Sequence, residues 1–298
     1  MSILIDENTK VIVQGITGRE GSLRSAYMKN YGTRVVAGTS PSRGGEEVGG
    51  IPVYNTVKEA VRAQGSIDMS VTFIPGPLLK MAVLEAIDAG VKCIVSPVER
   101  VPLHDAMEMI AIANKAGVTI VGPGSIGVMS PGKAIAGWLG GNVEFANKLV
   151  QPGPIGVLSR SGGESGTVPW ILKNGGLGVS TCIHTGTEPI LGMSFADFLL
   201  QFEKDEQTLG VAAFGEIGGS QEEEAAEVIK AGRFTKPFVI YIAGAAAPEG
   251  QRFSHASAIV ERGRGSVQGK VKALREAGAY PVETPKEIVP TLKKLLNL

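Results

Sequence analysis

The chain is short of several things, and each shortage removes a class of protein. It has two cysteines, Cys93 and Cys182, far apart and each inside an apolar run. That count excludes a disulfide framework and reads as buried thiols in a reducing compartment. Net charge is missing too: 29 basic and 29 acidic side chains cancel. A neutral chain offers no electrostatic footprint for nucleic acid or for a membrane surface. No apolar run approaches the roughly 20 residues that span a bilayer. The opening Met1-Ser-Ile-Leu-Ile-Asp-Glu lacks the basic stretch and long apolar run of a secretory signal. The expected location is the cytoplasm, or the mitochondrial matrix if a transit peptide has been removed. No metal site is expected. A complete nucleoside triphosphate loop is also lacking. Gly127-Val-Met-Ser-Pro-Gly132-Lys133-Ala134 matches G-x-x-x-x-G-K but has no Ser or Thr for magnesium, and Gly265-Ser-Val-Gln-Gly269-Lys270 has the wrong spacing. The nucleotide is therefore expected on a partner chain.

Glycine is what the chain has in excess, with 41 residues against 5% aromatics. The glycines gather after apolar β-branched runs. That placement marks tight strand-to-helix turns, where backbone approaches a ligand closely. Short apolar strands alternate with helical patterns from Lys10–Gln14 to Thr119–Val121, which implies an α/β fold with parallel strands covered on both faces. A glycine- and proline-rich stretch from Gly122 to Gly153 reads as the join, after which the alternation restarts. Two domains are expected, 1–130 and 131–298.

The segment Val11-Ile-Val-Gln-Gly15-Ile-Thr-Gly18-Arg-Glu-Gly21 reads as a strand, a glycine turn and a helix start. Such a turn presents backbone N–H groups at the positive end of a helix, which suits a phosphate. A dinucleotide site wants an acidic residue about 20 positions on, for the ribose hydroxyls. Here Arg34-Val-Val-Ala-Gly-Thr-Ser-Pro41 ends without an acid and Arg43 follows. A cation there favours a phosphorylated ribose, as in coenzyme A or NADP; a solvated arginine in a glycine-rich loop is the plain alternative.

Two further turns carry glycines and a serine where helices should begin: Leu158-Ser-Arg-Ser161-Gly-Gly163-Glu-Ser165 and Phe214-Gly-Glu216-Ile-Gly218-Gly219-Ser220. Both could direct N–H donors at one anion. In the second, Ser220 is placed to cap the helix and Glu222–Glu224 to complement its dipole, as in any ordinary capped helix. Of three histidines, His104 reads as structural and His184 stands at a strand end beside Thr185-Gly186. His255 lies among small residues in Phe253-Ser-His255-Ala-Ser-Ala, where it can accept and hand on a phosphoryl group or merely pack.

Taken together, these residues resemble the α subunit of succinyl-CoA synthetase. The resemblance runs nearly end to end, through Gln14-Gly-Ile-Thr-Gly18, Asn55-Thr-Val-Lys-Glu-Ala60, Glu85-Ala-Ile-Asp-Ala-Gly90, Ser159-Arg-Ser-Gly162 and Gly215-Glu-Ile-Gly-Gly-Ser220. The wider superfamily also holds ATP-citrate lyase, citryl-CoA synthetase and malate–CoA ligase. The resemblance implies an N-terminal Rossmann-like CoA-binding domain and a flavodoxin-like, doubly wound ligase domain. It implies CoA as cofactor, with ATP or GTP and magnesium held mainly by a β subunit of ATP-grasp fold. The family's CoA loop falls on Thr17, Gly18, Arg19 and Glu20, its basic residue on Arg43 (usually a lysine), and a further CoA segment on Pro97, Val98 and Glu99. Its phosphorylated histidine falls on His255 and the orienting acid on Glu216. The helix starts at Ser161, Gly162 and Gly163 and at Gly218 and Gly219 would cradle the phosphate.

The departures gather on the acid substrate. Where the succinate enzymes read Thr-Leu-Thr-Tyr, this chain has Gly163-Glu-Ser-Gly166, so an aromatic side chain becomes Gly166. The family's Gly-Pro-Asn-Cys-Pro-Gly is Gly122-Pro-Gly-Ser-Ile-Gly127, and its Gly-Ile-Gly-Gly-Asp-Pro is Ile183-His-Thr-Gly-Thr-Glu-Pro189. Something must fill the space at Gly166: a larger acid, Trp138 or Trp170 folding inward, or collapsing backbone. The expected activity is carboxylate plus CoA plus NTP to acyl-CoA, NDP and phosphate. The small carboxylic acid is succinate or another, such as citrate or malate. A CoA-binding relative without chemistry and an NADP-dependent reductase are the rivals. Retention of both His255 and Glu216 speaks against the first, and the absence of a Lys–Asp or Tyr–Lys set against the second.

Overall fold

The apolar β-branched runs become strands, and the glycines that follow them become the turns that start helices. The computed structural model describes residues 2–245 and 265–298. Its first half runs β1 (Lys10–Gln14), α1 (Arg19–Tyr31), β2 (Arg34–Thr39), β3 (Glu47–Val48), β4 (Ile51–Tyr54), α2 (Val57–Gln64), β5 (Met69–Thr72), α3 (Leu79–Asp88), β6 (Cys93–Val95), α4 (Leu103–Ala116) and β7 (Thr119–Val121). These strands form a seven-stranded sheet of order β3-β4-β2-β1-β5-β6-β7, parallel except for the β3–β4 pair. From β1 the chain first builds outward to β2 and β4, then returns to lay β5 on the other side. That reversal opens a crevice at the carboxyl ends of β1 and β5, the place where open α/β sheets bind ligands.

The second half runs β8 (Gly127–Ser130), β9 (Ala134–Gly137), α5 (Val143–Leu149), β10 (Pro152–Ser159), α6 (Glu164–Asn174), β11 (Val179–His184), α7 (Phe195–Lys204), β12 (Gly210–Glu216), α8 (Gln221–Lys230), β13 (Phe238–Ala243), α9 (Val267–Ala277), β14 (Tyr280–Val282) and α10 (Ile288–Leu296). Its sheet has seven strands in the order β14-β13-β12-β10-β11-β8-β9. The reversal here lies between β10 and β12, so the turns after these two strands face each other.

The Gly122–Gly153 stretch is more ordered than its composition suggests. It forms the β8–β9 hairpin and α5. The near-match to a triphosphate loop is that hairpin's turn: Lys133 N–H donates to the Ser130 carbonyl at 3.0 Å, and Gly132 takes φ +73° after Pro131. Proline then left-handed glycine is a type II turn. β8 also pairs antiparallel with β11, so residues 127–130, expected with the first domain, hydrogen-bond into the second sheet. The hairpin grips the first half as well, since Thr33 Oγ1 donates to the Ile135 carbonyl at 2.7 Å and accepts the Ile135 N–H at 2.9 Å. One apolar cluster runs from Val11 and Val13 through Val121 and Val128 to Leu158 and Ile183.

Both cysteines are buried, and burial pushes each thiol up to about 12. Cys182 therefore stays protonated and can donate. Pro169, inside α6, has no N–H for the Ser165 carbonyl one turn earlier, and the Cys182 thiol donates to that carbonyl at 3.4 Å.

Gly15 ends β1 with φ +84°, and a Cβ built on it would lie 2.3 Å from the Phe73 carbonyl oxygen at the end of β5. Gly163 meets nothing within 4 Å and has no left-handed φ. Gly15→Ala should lower stability by about 2 kcal/mol or more, from the backbone conformation and the forced displacement together. Gly163→Ala should stay within about 0.5 kcal/mol. Urea unfolding followed by circular dichroism compares the two; equal midpoints would refute the close-approach account.

Candidate active site

The first glycine turn lies at the β1/β5 crevice. Thr17 and Gly18 precede α1, and Arg19 and Glu20 open it, with Gly18, Arg19 and Glu20 exposed. Gly18 is the N-cap and has no side chain to accept the first-turn N–H groups, which leaves them for water or a ligand. Thr17 Oγ1 lies 2.7 Å from Ser40 Oγ, tying this turn to the end of β2. Arg43 follows on an exposed loop and pairs with Glu46 through both guanidinium and carboxylate edges. Asn55 holds that loop by accepting the Gly44 N–H at 2.9 Å. The Glu85 carboxylate accepts the Val57 N–H at 2.9 Å and lies 3.3 Å from Gln14 Nε2. Three separate sequence segments thus meet behind the crevice. These groups can receive a phosphorylated, ribose-bearing ligand.

Pro97 and Val98 are buried after β6, and Glu99 is exposed at the boundary with the second half. Thr187 Oγ1 reaches the Glu99 carboxylate at 3.4 Å, and the Glu188 carboxylate accepts the Arg100 N–H at 2.8 Å. Behind them stands His184, buried at the end of β11. Its Nδ1 accepts the Ile126 N–H at 2.9 Å, and its Nε2 lies 3.2 Å from the Arg160 carbonyl. An accepting Nδ1 leaves the proton on Nε2, so the ring is neutral and links two backbones. Ser125 Oγ donates to the His184 carbonyl. A chain of contacts therefore runs from the turn at Pro97–Glu99, through Ser125 and His184, to the turn after β10. Sequence reasoning left His184 undecided; the signal available was its place at a strand's carboxyl end.

The turns after β10 and β12 carry Ser161, Gly162 and Gly163 on one side and Glu216, Gly218 and Gly219 on the other. Both helices that follow lack a side-chain cap: Gly163 caps α6, and Ser220, expected to cap α8, turns its hydroxyl to Glu224 Oε1 at 2.6 Å instead. Gly218 N–H donates to the Gly265 carbonyl at 2.8 Å, so in this conformation it is engaged within the protein. Glu216 is buried at the end of β12, with its N–H on Glu222 Oε1 at 3.0 Å. His255 lies outside the described residues.

Sequence reasoning missed the group that joins these turns. Arg160, Glu222 and Lys270 are each 0% exposed. Arg160 Nη1 donates to the carbonyls of Glu216 (2.9 Å) and Gly218 (2.8 Å) and to Glu222 Oε1 (3.1 Å). Lys270 Nζ donates to the Gly219 carbonyl (3.0 Å), Glu222 Oε2 (2.5 Å) and Glu223 Oε2 (2.7 Å). Glu222 was expected to complement the dipole of α8; the structure makes it the shared counter-ion of two buried cations. Burial works against its ionisation, but Arg160, Lys270 and the Glu216 N–H outweigh that and hold its carboxyl below the ordinary 4.5.

At Gly166 the vacated space is a surface cleft lined by Phe145, Leu149, Gly163, Gly166, Thr167 and Trp170. Leu149 comes closest: its Cδ1 would lie 3.3 Å from a Cβ at Gly166. Trp170 stays 50% exposed. Trp138 packs elsewhere, 6.0 Å from the Phe73 ring and with the Arg24 guanidinium 4.8 Å from its centroid.

Comparison with known proteins agrees with this geometry. A CoA-binding domain model matches residues 6–99 and a CoA-ligase model matches residues 158–280. The α 2 subunit of the ADP-forming succinate–CoA ligase of Archaeoglobus fulgidus is 44% identical over 99% of this chain and 100% of its own length. The chain belongs to the α-subunit family of NDP-forming acid–CoA ligases. A subunit of the ADP-forming sulfoacetate–CoA ligase of an Acholeplasma species is 42% identical over 99% of the chain and 98% of its own length. Among solved structures, the ATP citrate lyase of Methanosaeta concilii bound to (3S)-citryl-CoA superposes with a TM-score of 0.90 at 25% identity, over 99% of this chain. The chain spans 51% of that longer protein. Among the described residues no helix is long and apolar enough to cross a membrane, and no group of His, Cys, Asp and Glu is arranged to hold a metal ion.

Glu222 has its carboxyl pKa depressed in the folded protein, so its contribution to stability is present above pH 4.5 and is lost as pH falls through 4.5 toward the folded value. Glu222→Gln should cost about 3–5 kcal/mol near neutral pH by leaving two buried cations underbalanced. It should also flatten the loss of stability below pH 4.5. Urea midpoints measured from pH 7 to pH 3.5 on both proteins test this; parallel curves would overturn the ion-pair account.

Proposed function

We propose that the chain is the phosphohistidine-bearing subunit of a ligase joining a small carboxylic acid to CoA, working with a nucleotide-binding β subunit of ATP-grasp fold. The observation that carries this reading is the facing pair of uncapped helix starts after β10 and β12, with Glu216 between them, wired through His184 to the Pro97–Glu99 turn at the CoA-binding half. In the first step His255 attacks the γ-phosphorus of ATP or GTP, whose magnesium and nucleotide the partner holds, and NDP leaves. Glu216 orients the imidazole. The turns at Ser161–Gly163 and Gly218–Gly219 flank the phosphoryl group and offer its oxygens the N–H groups of Gly162, Gly163 and Gly219, those of Ser161 and Gly218 being engaged within the protein. A carboxylate oxygen of the acid then takes the phosphoryl group, freeing the histidine. The CoA sulfur attacks the acyl carbon, and inorganic phosphate leaves. Thr17, Gly18, Arg19 and Glu20 receive the CoA phosphates, with Arg43 released from Glu46 to meet the ribose phosphate and Pro97, Val98 and Glu99 flanking the cofactor. A cytoplasmic location fits this reading.

The acid is the open choice within it. Relatives named for succinate and for sulfoacetate stand at 44% and 42% identity, too close to separate the two. Gly166, beside an open and mainly apolar cleft, favours an acid other than succinate, because the side chain that would close this wall is missing.

Two measurements test the proposal. The purified complex given γ-labelled NTP and magnesium should take up an acid-labile, alkali-stable label, and His255→Asn should abolish it. Label that survives the substitution would reject His255 as the carrier. In steady-state kinetics with succinate, sulfoacetate, malate and citrate, succinate should not give the highest kcat/KM. A clear maximum for succinate would restore the plain succinate assignment.

A further inference from the structure

Lys270 is a conspicuous residue for a fully buried position. It sits one turn into α9, on an element that supplies no residue to the reaction as proposed. Yet its ammonium grips a backbone carbonyl of the turn after β12 and both of that turn's nearest carboxylates. We infer that Lys270, acting with Arg160 through the Glu222 carboxylate between them, is a positioning residue that sets the peptide planes of Glu216–Ser220 for anion binding; this rests on the phosphohistidine reading above.

The peptide unit is planar and trans, so a carbonyl and the N–H of the next residue point opposite ways. Arg160 Nη1 draws the carbonyls of Glu216 and Gly218 inward, and Lys270 Nζ draws that of Gly219. The N–H groups of Ile217, Gly219 and Ser220 are thereby turned away from the cations. Ile217 N–H goes to the Ala243 carbonyl at 3.2 Å, which continues the sheet. Gly219 and Ser220 are exposed and line a cleft with Arg160, Gln221, Glu188 and Ser194. Gly218 and Gly219 take φ +75° and +60° in succession, a turn that two glycines permit but whose orientation they do not hold by themselves.

The cations supply that hold. Glu222 completes it, with Oε1 on the Glu216 N–H and Arg160 and Oε2 on Lys270. The charges of Arg160 and Lys270 are opposed by the carboxylates of Glu222 and Glu223. The approach of α9 is itself close: Gly218 N–H meets the Gly265 carbonyl, and a Cβ on Gly265 would come within 2.7 Å of Gly218 Cα. A cluster that only glued helices together would have no need to spend three of its donor contacts on consecutive or near-consecutive carbonyls of one turn.

The test uses the complete complex of this chain with its partner subunit. Single-turnover labelling from γ-labelled ATP, the KM for CoA and the melting temperature are measured for wild type, Lys270→Met, Lys270→Arg and Glu223→Gln. Lys270→Met should slow labelling by about tenfold to a hundredfold, the scale of a misplaced catalytic contact. Its KM for CoA should stay within about twofold, because an interaction lost only in phosphoryl transfer does not weaken CoA binding. Lys270→Arg, which keeps the charge, should recover most of the rate. Glu223→Gln removes one of the two carboxylates on Lys270 and should slow labelling several-fold. A folded Lys270→Met that labels at the wild-type rate would overturn the inference, as would a loss that Lys270→Arg leaves unrepaired or that appears equally in the KM for CoA. Should Lys270→Met fail to fold, a wild-type labelling rate in Glu223→Gln overturns it instead, and a slowed rate with unchanged KM supports it. Absence of label in the wild-type complex would remove the phosphohistidine reading itself, and this inference with it.

Discussion

Glu222 shares its carboxylate between Arg160 and Lys270 with no part of the trio open to solvent, and much of the second half is arranged around that fact. A buried ion is tolerated only when its partners and hydrogen bonds are nearly complete. Completeness here needs three elements at once: the exit of β10 for Arg160, the start of α8 for Glu222, and the first turn of α9 for Lys270. Moving any of them strands a charge. The turns after β10 and β12 are therefore held together, and the orientation of the carbonyls of Glu216, Gly218 and Gly219 follows from the ion group.

A second constraint joins the halves. The proposed reaction brings CoA and the phosphoryl group together, which requires the crevice of one sheet to lie near the switch point of the other. The β8–β9 hairpin serves this by pairing with β11 while exchanging hydrogen bonds with Thr33 through Ile135. His184 does the same on a finer scale. A neutral imidazole with both nitrogens committed to backbone is a rigid strut, and it runs from Ile126 to Arg160. Trp138, against Phe73 and Arg24, seals another part of the same boundary.

The cleft at Gly166 is built differently. Around Gly166 the walls are apolar, partly exposed and supplied by α5 and α6 alone. The two helices are tied by Lys173, which donates to the Asn147 and Lys148 carbonyls at 3.0 and 2.8 Å in an exposed contact rather than a buried ion group. Relatives of similar identity carry names for different acids.

Much of this was legible in the sequence because it depends on local periodicity and on glycine. The strand at Lys10–Gln14, the alternation of strands and helices, and the three glycine turns follow from side-chain pattern and from which residues tolerate a tight turn. The segments holding Gln14, Val57 and Glu85 could be quoted as motifs, but that these three residues meet behind one crevice is a matter of packing. The β8–β9 hairpin was hidden because glycine and proline mark turns and do not announce the two short strands between them. Ser220 had the right spacing to cap α8, but its hydroxyl goes to Glu224 four residues on, a local alternative the same sequence offers. Glu222 and Lys270 are 48 positions apart, and nothing in the sequence between charged residues says which will be taken out of water together. The sequence by itself determined the fold class, the glycine turns that open the helices and the identity of the chemical groups. Only the tertiary structure decided which of those groups are buried as partners, because burial of charge depends on surroundings assembled from the whole chain.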